Sequence, residues 1–240
     1  MKRWLAVSIL LAACVAIGLA GSVQGADTPA ALCDDFSAPR LDTSRWRVTY
    51  QGDFQDRIED VQDGGLRLLA ATIGTRDDTV KFHGVRTKEP LDLSRGIDLS
   101  FDVDWNNQAN GCYLTAGVTL SPTATDANPA DAKEWLRFEY IGVPPGQNAR
   151  ALLAVKGLNG ERQLFTEGWP EKHRTGRKIG NQHVRLLLTP DALRIWENGK
   201  LLFETTQRVL ASQEAYLYLQ MSSHSNYPPR EVYFDNIVVR

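Results

Sequence analysis

The sequence is short of cysteine, of basic runs, of helical periodicity and of linkers, and each shortage removes a class of function. With 27 basic against 29 acidic residues and no clustered lysine or arginine, nothing offers the electrostatic footprint of a nucleic-acid binder. The four histidines, His83, His173, His183 and His224, show no zinc-ligand spacing. Few stretches repeat at 3.6 residues, so the usual share of helix is missing and an all-β chain is expected. No Pro-, Gly- or Ser-rich stretch is long enough to separate two domains, and 42% hydrophobic residues suffice for one core.

Of the three cysteines, Cys14 falls in the leading segment. Residues 1–25 read as a signal peptide: Lys2 and Arg3, an apolar run from Trp4 to Ala20, then small residues up to a cleavage point near Gly25. About 17 apolar residues are short for a membrane span. Leu11-Ala12-Ala13-Cys14 is similar to a lipobox, yet the apolar run continues beyond Cys14, where a lipoprotein turns polar. The expectation is export to the periplasm, the medium or the cell surface, with membrane attachment only through a lipidated Cys14. Without Lys2 and Arg3 the mature chain, 26–240, carries a charge of about −4. In an oxidising compartment Cys33 and Cys112 are expected to form a disulfide.

What is abundant is two-residue alternation punctuated by turns. Ile97 to Trp105 places Ile97, Leu99, Phe101 and Val103 on one side and Asp98, Ser100, Asp102 and Asp104 on the other. Cys112 to Leu120 repeats the pattern. His183 to Thr205 holds three strands, the last two joined by Asn198-Gly199, which supplies the two positive φ angles of a tight hairpin turn. That turn predicts Glu197 opposite Lys200, Trp196 opposite Leu201, Ile195 opposite Leu202 and Arg194 opposite Phe203. Asp63-Gly64-Gly65 and Asn159-Gly160 mark two further turns, and residues 121–132 read as an excursion loop with one helical turn after Asn128-Pro129. About a dozen such strands predict a two-sheet antiparallel β-sandwich of jelly-roll type, one domain over 26–240.

Three stretches resemble the concanavalin A-like lectin/glucanase superfamily, which includes laminin G domains and family 16 glucanases. They are Asp34-Asp35-Phe36 with Leu41-Asp42-Thr43-Ser44-Arg45-Trp46, then Val85-Arg86-Thr87-Lys88 with Leu91-Asp92-Leu93-Ser94, and lastly Val232-Tyr233-Phe234-Asp235-Asn236-Ile237-Val238-Val239. The resemblance implies a concave sheet that meets glycans and a structural calcium near the joined terminal strands, with Asp35 and Asp235 as ligands. No other cofactor is implied. The family 16 triplet Glu-x-Asp-x-Glu is absent. Glu134 and Glu139, five residues apart on one strand, point to opposite faces.

On that strand Trp135, Arg137 and Glu139 share a side opposite Leu136, Phe138 and Tyr140. On Glu214 to Ser222, Tyr216, Tyr218 and Gln220 share a side, with His224 in register if the strand continues. An aromatic plate beside forked polar groups suits a pyranose. The expected carbohydrate site is Trp135, Arg137, Glu139, Tyr216, Tyr218 and Gln220, binding a glycan or polysaccharide as a monomer. The reading leans to recognition over catalysis. The enzyme alternative is a glycoside hydrolase, or a lyase using Tyr218 or His224 with Arg137 and His83 nearby, and its catalytic candidates are Glu139, Tyr218 and His224. A scaffold or adhesion module is the third alternative. Trp169 in a basic, Gly-rich loop, 168–180, is a candidate rim platform.

Overall fold

The computed structural model describes residues 31–75, 80–104, 114–141, 150–157, 160–168, 181–224 and 226–240. The signal segment, Cys14, Cys112, Trp169 and His173 lie outside them. No helix among the described residues is long and apolar enough to cross a membrane. The chain runs as β1 (Leu32–Asp34), β2 (Trp46–Gln51), β3 (Asp56–Gln62), β4 (Gly65–Ala71), β5 (Lys81–Thr87), β6 (Leu91–Asp92), β7 (Ile97–Asp104) and β8 (Leu114–Ser121). It continues as β9 (Trp135–Ile141), β10 (Arg150–Gly157), β11 (Gly160–Gly168), β12 (Asn181–Thr189), β13 (Ala192–Glu197), β14 (Lys200–Thr205), β15 (Glu214–Ser223) and β16 (Arg230–Val239). Sheet I has the order β14-β13-β12-β7-β16-β4-β3, with β1 beside β16. Sheet II has the order β11-β10-β9-β8-β15-β5-β2, with β6 beside β15. Every pairing is antiparallel.

Alternation is what builds the two layers. Along β7, Ile97, Leu99, Phe101 and Val103 are buried while the residues between them are half-buried. From sheet II, Leu136, Phe138 and Tyr140 of β9 and Leu217, Leu219 and Met221 of β15 meet them in one continuous core. Two buried carboxylates cross between the layers. Tyr140 donates its hydroxyl to Glu197 at 2.7 Å, and His83 Nδ1 meets Glu59 at 2.7 Å. His83 is fully buried inside the sandwich, so the expectation that it joins a ligand face is corrected.

The first family-like stretch has structural work. Asp34 accepts the Trp46 indole N–H at 2.7 Å, Phe36 lies 5.9 Å from the Trp46 ring, and Arg45 donates to the Cys33 carbonyl. Asp42 accepts the Ser44 amide and hydroxyl, tightening the turn. The Trp46 to Gln51 strand, hidden in the sequence behind that turn, forms the edge of sheet II.

The Asn198-Gly199 turn forms with φ of 49° and 79°. Glu197 faces Lys200 and Trp196 faces Leu201, as the turn predicts, but a bulge then shifts the register so that Ile195 faces Phe203 and Arg194 faces Glu204. The extra residue lets both Leu202 and Phe203 pack on the core.

Cys33 carries a free, exposed thiol and lines a recess with Thr87 and Leu91, while Cys112, its expected partner, lies outside the described residues.

Candidate functional site

Register sorts the outer face of sheet II into rows that run across the strands. One row is Arg47, Arg86, Tyr218, Thr119, Arg137 and Ala154. The next is Thr49, Gly84, Gln220, Gly117 and Glu139. Trp135 and Tyr216 lie beyond the first row, opposite Lys156 and Ser121. All six residues of the expected carbohydrate site therefore share one face. They do not share one environment.

Residues 122–134, between β8 and β9, fold back over the first row as a strap. The Tyr218 hydroxyl donates to the Thr123 carbonyl at 2.8 Å and accepts the Thr125 amide at 2.9 Å. Arg86 donates to the Thr125 carbonyl and pairs with Asp126, whose carboxylate also holds Arg47. The Asp126 carbonyl accepts the Tyr50 amide, and Gln51 accepts the Asn128 amide. Further along, Arg137 reaches Asn128 at 3.4 Å and Thr119 at 3.2 Å, while the Trp135 indole and Lys156 both donate to the Ala130 carbonyl. Asn128 caps a 3-10 turn, Pro129–Asp131, where the Asn-Pro step predicts one.

Trp135 is consequently not the exposed plate that the sequence suggests. It is 1% accessible, sandwiched with Ala130, Ala132 and Ala154 in a small core outside the main one. Tyr218 is fully buried, and burial raises its phenol above the ordinary range. A buried tyrosine with both hydrogen-bonding roles filled by strap backbone is a poor proton acceptor. The arginines are committed too: Arg137 lies 5.0 Å from the Trp135 ring, and Arg86 lies 5.3 Å from Tyr216. His224 follows the end of β15 instead of extending it, because its carbonyl accepts from Thr72 and Ser223.

The neighbouring row is different. Five buried side-chain polar atoms among the described residues have no hydrogen-bond partner. Two of them, Thr49 Oγ1 and Gln220 Oε1, flank Gly84 in this row. The other three, on Arg57, His83 and Arg230, belong to side chains of the inner layer. A Cβ at Gly84 would lie 2.0 Å from the Leu219 carbonyl oxygen, and one at Gly117 would lie 2.1 Å from that of Phe138. Crowded backbone thus enforces glycine at both positions, leaving Thr49, Gln220 and Glu139 separated by positions with no side chain. Those two glycines, each interrupting an otherwise alternating strand, were the signal that the sequence carried for this row.

Glu139 is the one carboxylate of the described β9 floor on this side. Glu134 turns away and accepts the amides of Ala211 and Ser212. At the terminal strands, burial raises Asp235, and Asp102, Asp35 and Asp34 add to the shift. Both Asp235 oxygens already accept from Asn236, and Asp35 is engaged by Ser37. No group of three or more His, Cys, Asp or Glu side chains among the described residues is placed to hold a metal ion.

The fold defines the class: a two-sheet jelly roll shared with glycan-cleaving enzymes. No protein-family model matches the chain, and no curated protein matches its sequence. Among solved structures, the GlcNAcα1-4Gal-releasing endo-β-galactosidase from Clostridium perfringens superposes over 92% of this chain with a TM-score of 0.64 at 15% identity. This chain spans 64% of that enzyme's length. The laminarinase catalytic domain from Thermotoga petrophila superposes over 88% of this chain and 96% of its own length, with a TM-score of 0.62 at 13% identity. The globular domain of Trypanosoma cruzi calreticulin (T. cruzi) superposes over 87% of each chain, with a TM-score of 0.59 at 13% identity. At such identities the likeness establishes the fold.

Proposed function

We propose that this protein is an exported glycan-recognition module whose binding surface is the glycine row of sheet II, Thr49, Gln220 and Glu139. The observation that carries the reading is the pair of buried, unpartnered oxygens on Thr49 and Gln220. Burying an unsatisfied oxygen costs about 1–3 kcal/mol, and a ligand hydroxyl donating to it recovers that cost. Similarity of fold to an endo-β-galactosidase and a laminarinase supports a carbohydrate ligand.

Recognition is favoured over cleavage. Glycoside hydrolysis takes two carboxyl groups across the scissile bond, and the glycine row supplies Glu139 alone. The lyase alternative loses its tyrosine base and its arginine, since Tyr218 and Arg137 are held by the strap. The test is a glycan array on the mature protein, run with reducing-end and unsaturated-product assays. Binding without product, reduced at least tenfold in Gln220→Ala, supports the reading. Product formation, or binding indifferent to Gln220, defeats it.

A further inference from the structure

Residues 206–213 carry the chain from the edge strand of sheet I, β14, to the middle of sheet II, β15. Two aliphatic side chains of this crossing are drawn into the core, Val209 at 8% and Leu210 at 5% accessible. Val155 of β10 is buried in the same core. Its partner across the hairpin is Arg162 of β11, and directly paired residues of an antiparallel sheet share a face. Arg162 therefore lies on the inward side of the edge strand, where the core has ended and the side chain is exposed.

Between this edge, the crossing and the end of the strap lies a cleft of about 790 Å³, within the size range of small-ligand sites. Gly157 and Gly160 border it without side chains, and a Cβ added to either meets nothing within 4 Å. Its buried wall, Val155, Val209, Leu210 and Ala132, is aliphatic and has no aromatic ring. Its rim is charged, with Lys133, Arg162 and Arg208 against Asp131 and Glu134. Arg208 is fixed in place: Nε donates to the Leu210 carbonyl at 2.9 Å and Nη2 to the Ala211 carbonyl at 2.6 Å, which leaves Nη1 without a partner. Arg162 and Lys133 make no ion pair among the described residues. Glu134 is spent on the amides of Ala211 and Ser212. Three cations against two carboxylates leave room for one negative charge.

We propose that this cleft binds an aliphatic monocarboxylate of medium chain length, its chain against Val155, Val209 and Leu210 and its carboxylate received by Arg162 and by Arg208 Nη1. Burial of the chain supplies affinity, and the guanidinium groups select the head. A wall without a ring is poorly suited to a pyranose, which packs its C–H face on an aromatic plate. The site shares no residue with the glycine row, and it stands whether or not that row binds a glycan.

The test is calorimetric titration of the mature protein with octanoate, octanol and acetate, on the wild type, Gly157→Leu and Arg162→Gln. Gly157 has no positive φ and shares the inward face with Val155, so a leucine there projects into the cleft without backbone strain. Octanoate should bind the wild type at least about tenfold more tightly than either octanol, which lacks the charge, or acetate, which lacks the chain. Gly157→Leu should lose octanoate binding at an unchanged thermal midpoint, and Arg162→Gln should weaken it about tenfold. If Gly157→Leu does not fold, Arg162→Gln and the octanol comparison carry the test. No binding of octanoate, octanol bound as tightly as octanoate, or octanoate binding indifferent to both substitutions overturns the proposal, and each leaves glycan recognition untouched.

Discussion

Two adjacent rows on one face of sheet II have opposite fates. The row through Arg86, Tyr218 and Arg137 carries the side chains usually associated with sugar binding, and all of them are spent on holding residues 122–134. The row through Thr49, Gln220 and Glu139 has two glycines and no aromatic ring, yet it retains buried oxygens without partners. Residue type alone therefore does not distinguish the two rows. What separates the rows is hydrogen-bond accounting: where every donor and acceptor is satisfied within the chain, little is left for a ligand.

The largest expected effect that sharpens this contrast is on stability. Trp135→Ala empties the small core under the strap and should lower unfolding stability by about 3–5 kcal/mol in urea titrations. If Trp135 were instead a ligand plate, the same variant would keep its stability and lose binding. Next comes Gly117→Ala, whose new methyl group meets the Phe138 carbonyl. Overpacking of this kind costs about 1–3 kcal/mol, and Gly157→Ala, with nothing within 4 Å of the added Cβ, is the matched control. A Gly117→Ala variant as stable as the control would mean that the row is not crowded.

The smallest effect lies beneath the glycine row, on the inward side of β5. Burial lowers the imidazole of His83 below its ordinary 6.5, with Glu59 opposing the shift and Arg57 reinforcing it. The unfolded chain then binds the proton more readily than the folded one. Stability should be fully present above pH about 6.5 and decline as the pH falls below it. Denaturation midpoints between pH 8 and 5 should show this decline in the wild type and a shallower one in His83→Gln. Parallel slopes would remove His83 from the account.

Much of the architecture is legible in the sequence because alternation is a local property. Ile97 to Asp104 declares its two faces residue by residue, and Asn198-Gly199 fixes its own turn. The bulge beyond Trp196 is not legible, because it answers to the packing of Leu202 and Phe203 on the core. Sharing of a face by Trp135, Arg137, Glu139, Tyr216, Tyr218 and Gln220 follows from period two. Their covering does not, since Tyr218 finds its partners 93 and 95 residues away, in a loop whose composition says only that it is a loop.

The division of labour between the rows is tested most directly by pairing Tyr218→Phe with Gln220→Ala and titrating each with the glycan that the wild type binds best, alongside its thermal midpoint. Tyr218→Phe should lose stability by about 1–2 kcal/mol, having released the Thr123 carbonyl and the Thr125 amide, and should keep its affinity within about threefold. Gln220→Ala should lose at least tenfold in affinity with its midpoint unchanged. The reverse pattern, affinity lost with Tyr218 and retained without Gln220, would contradict the account.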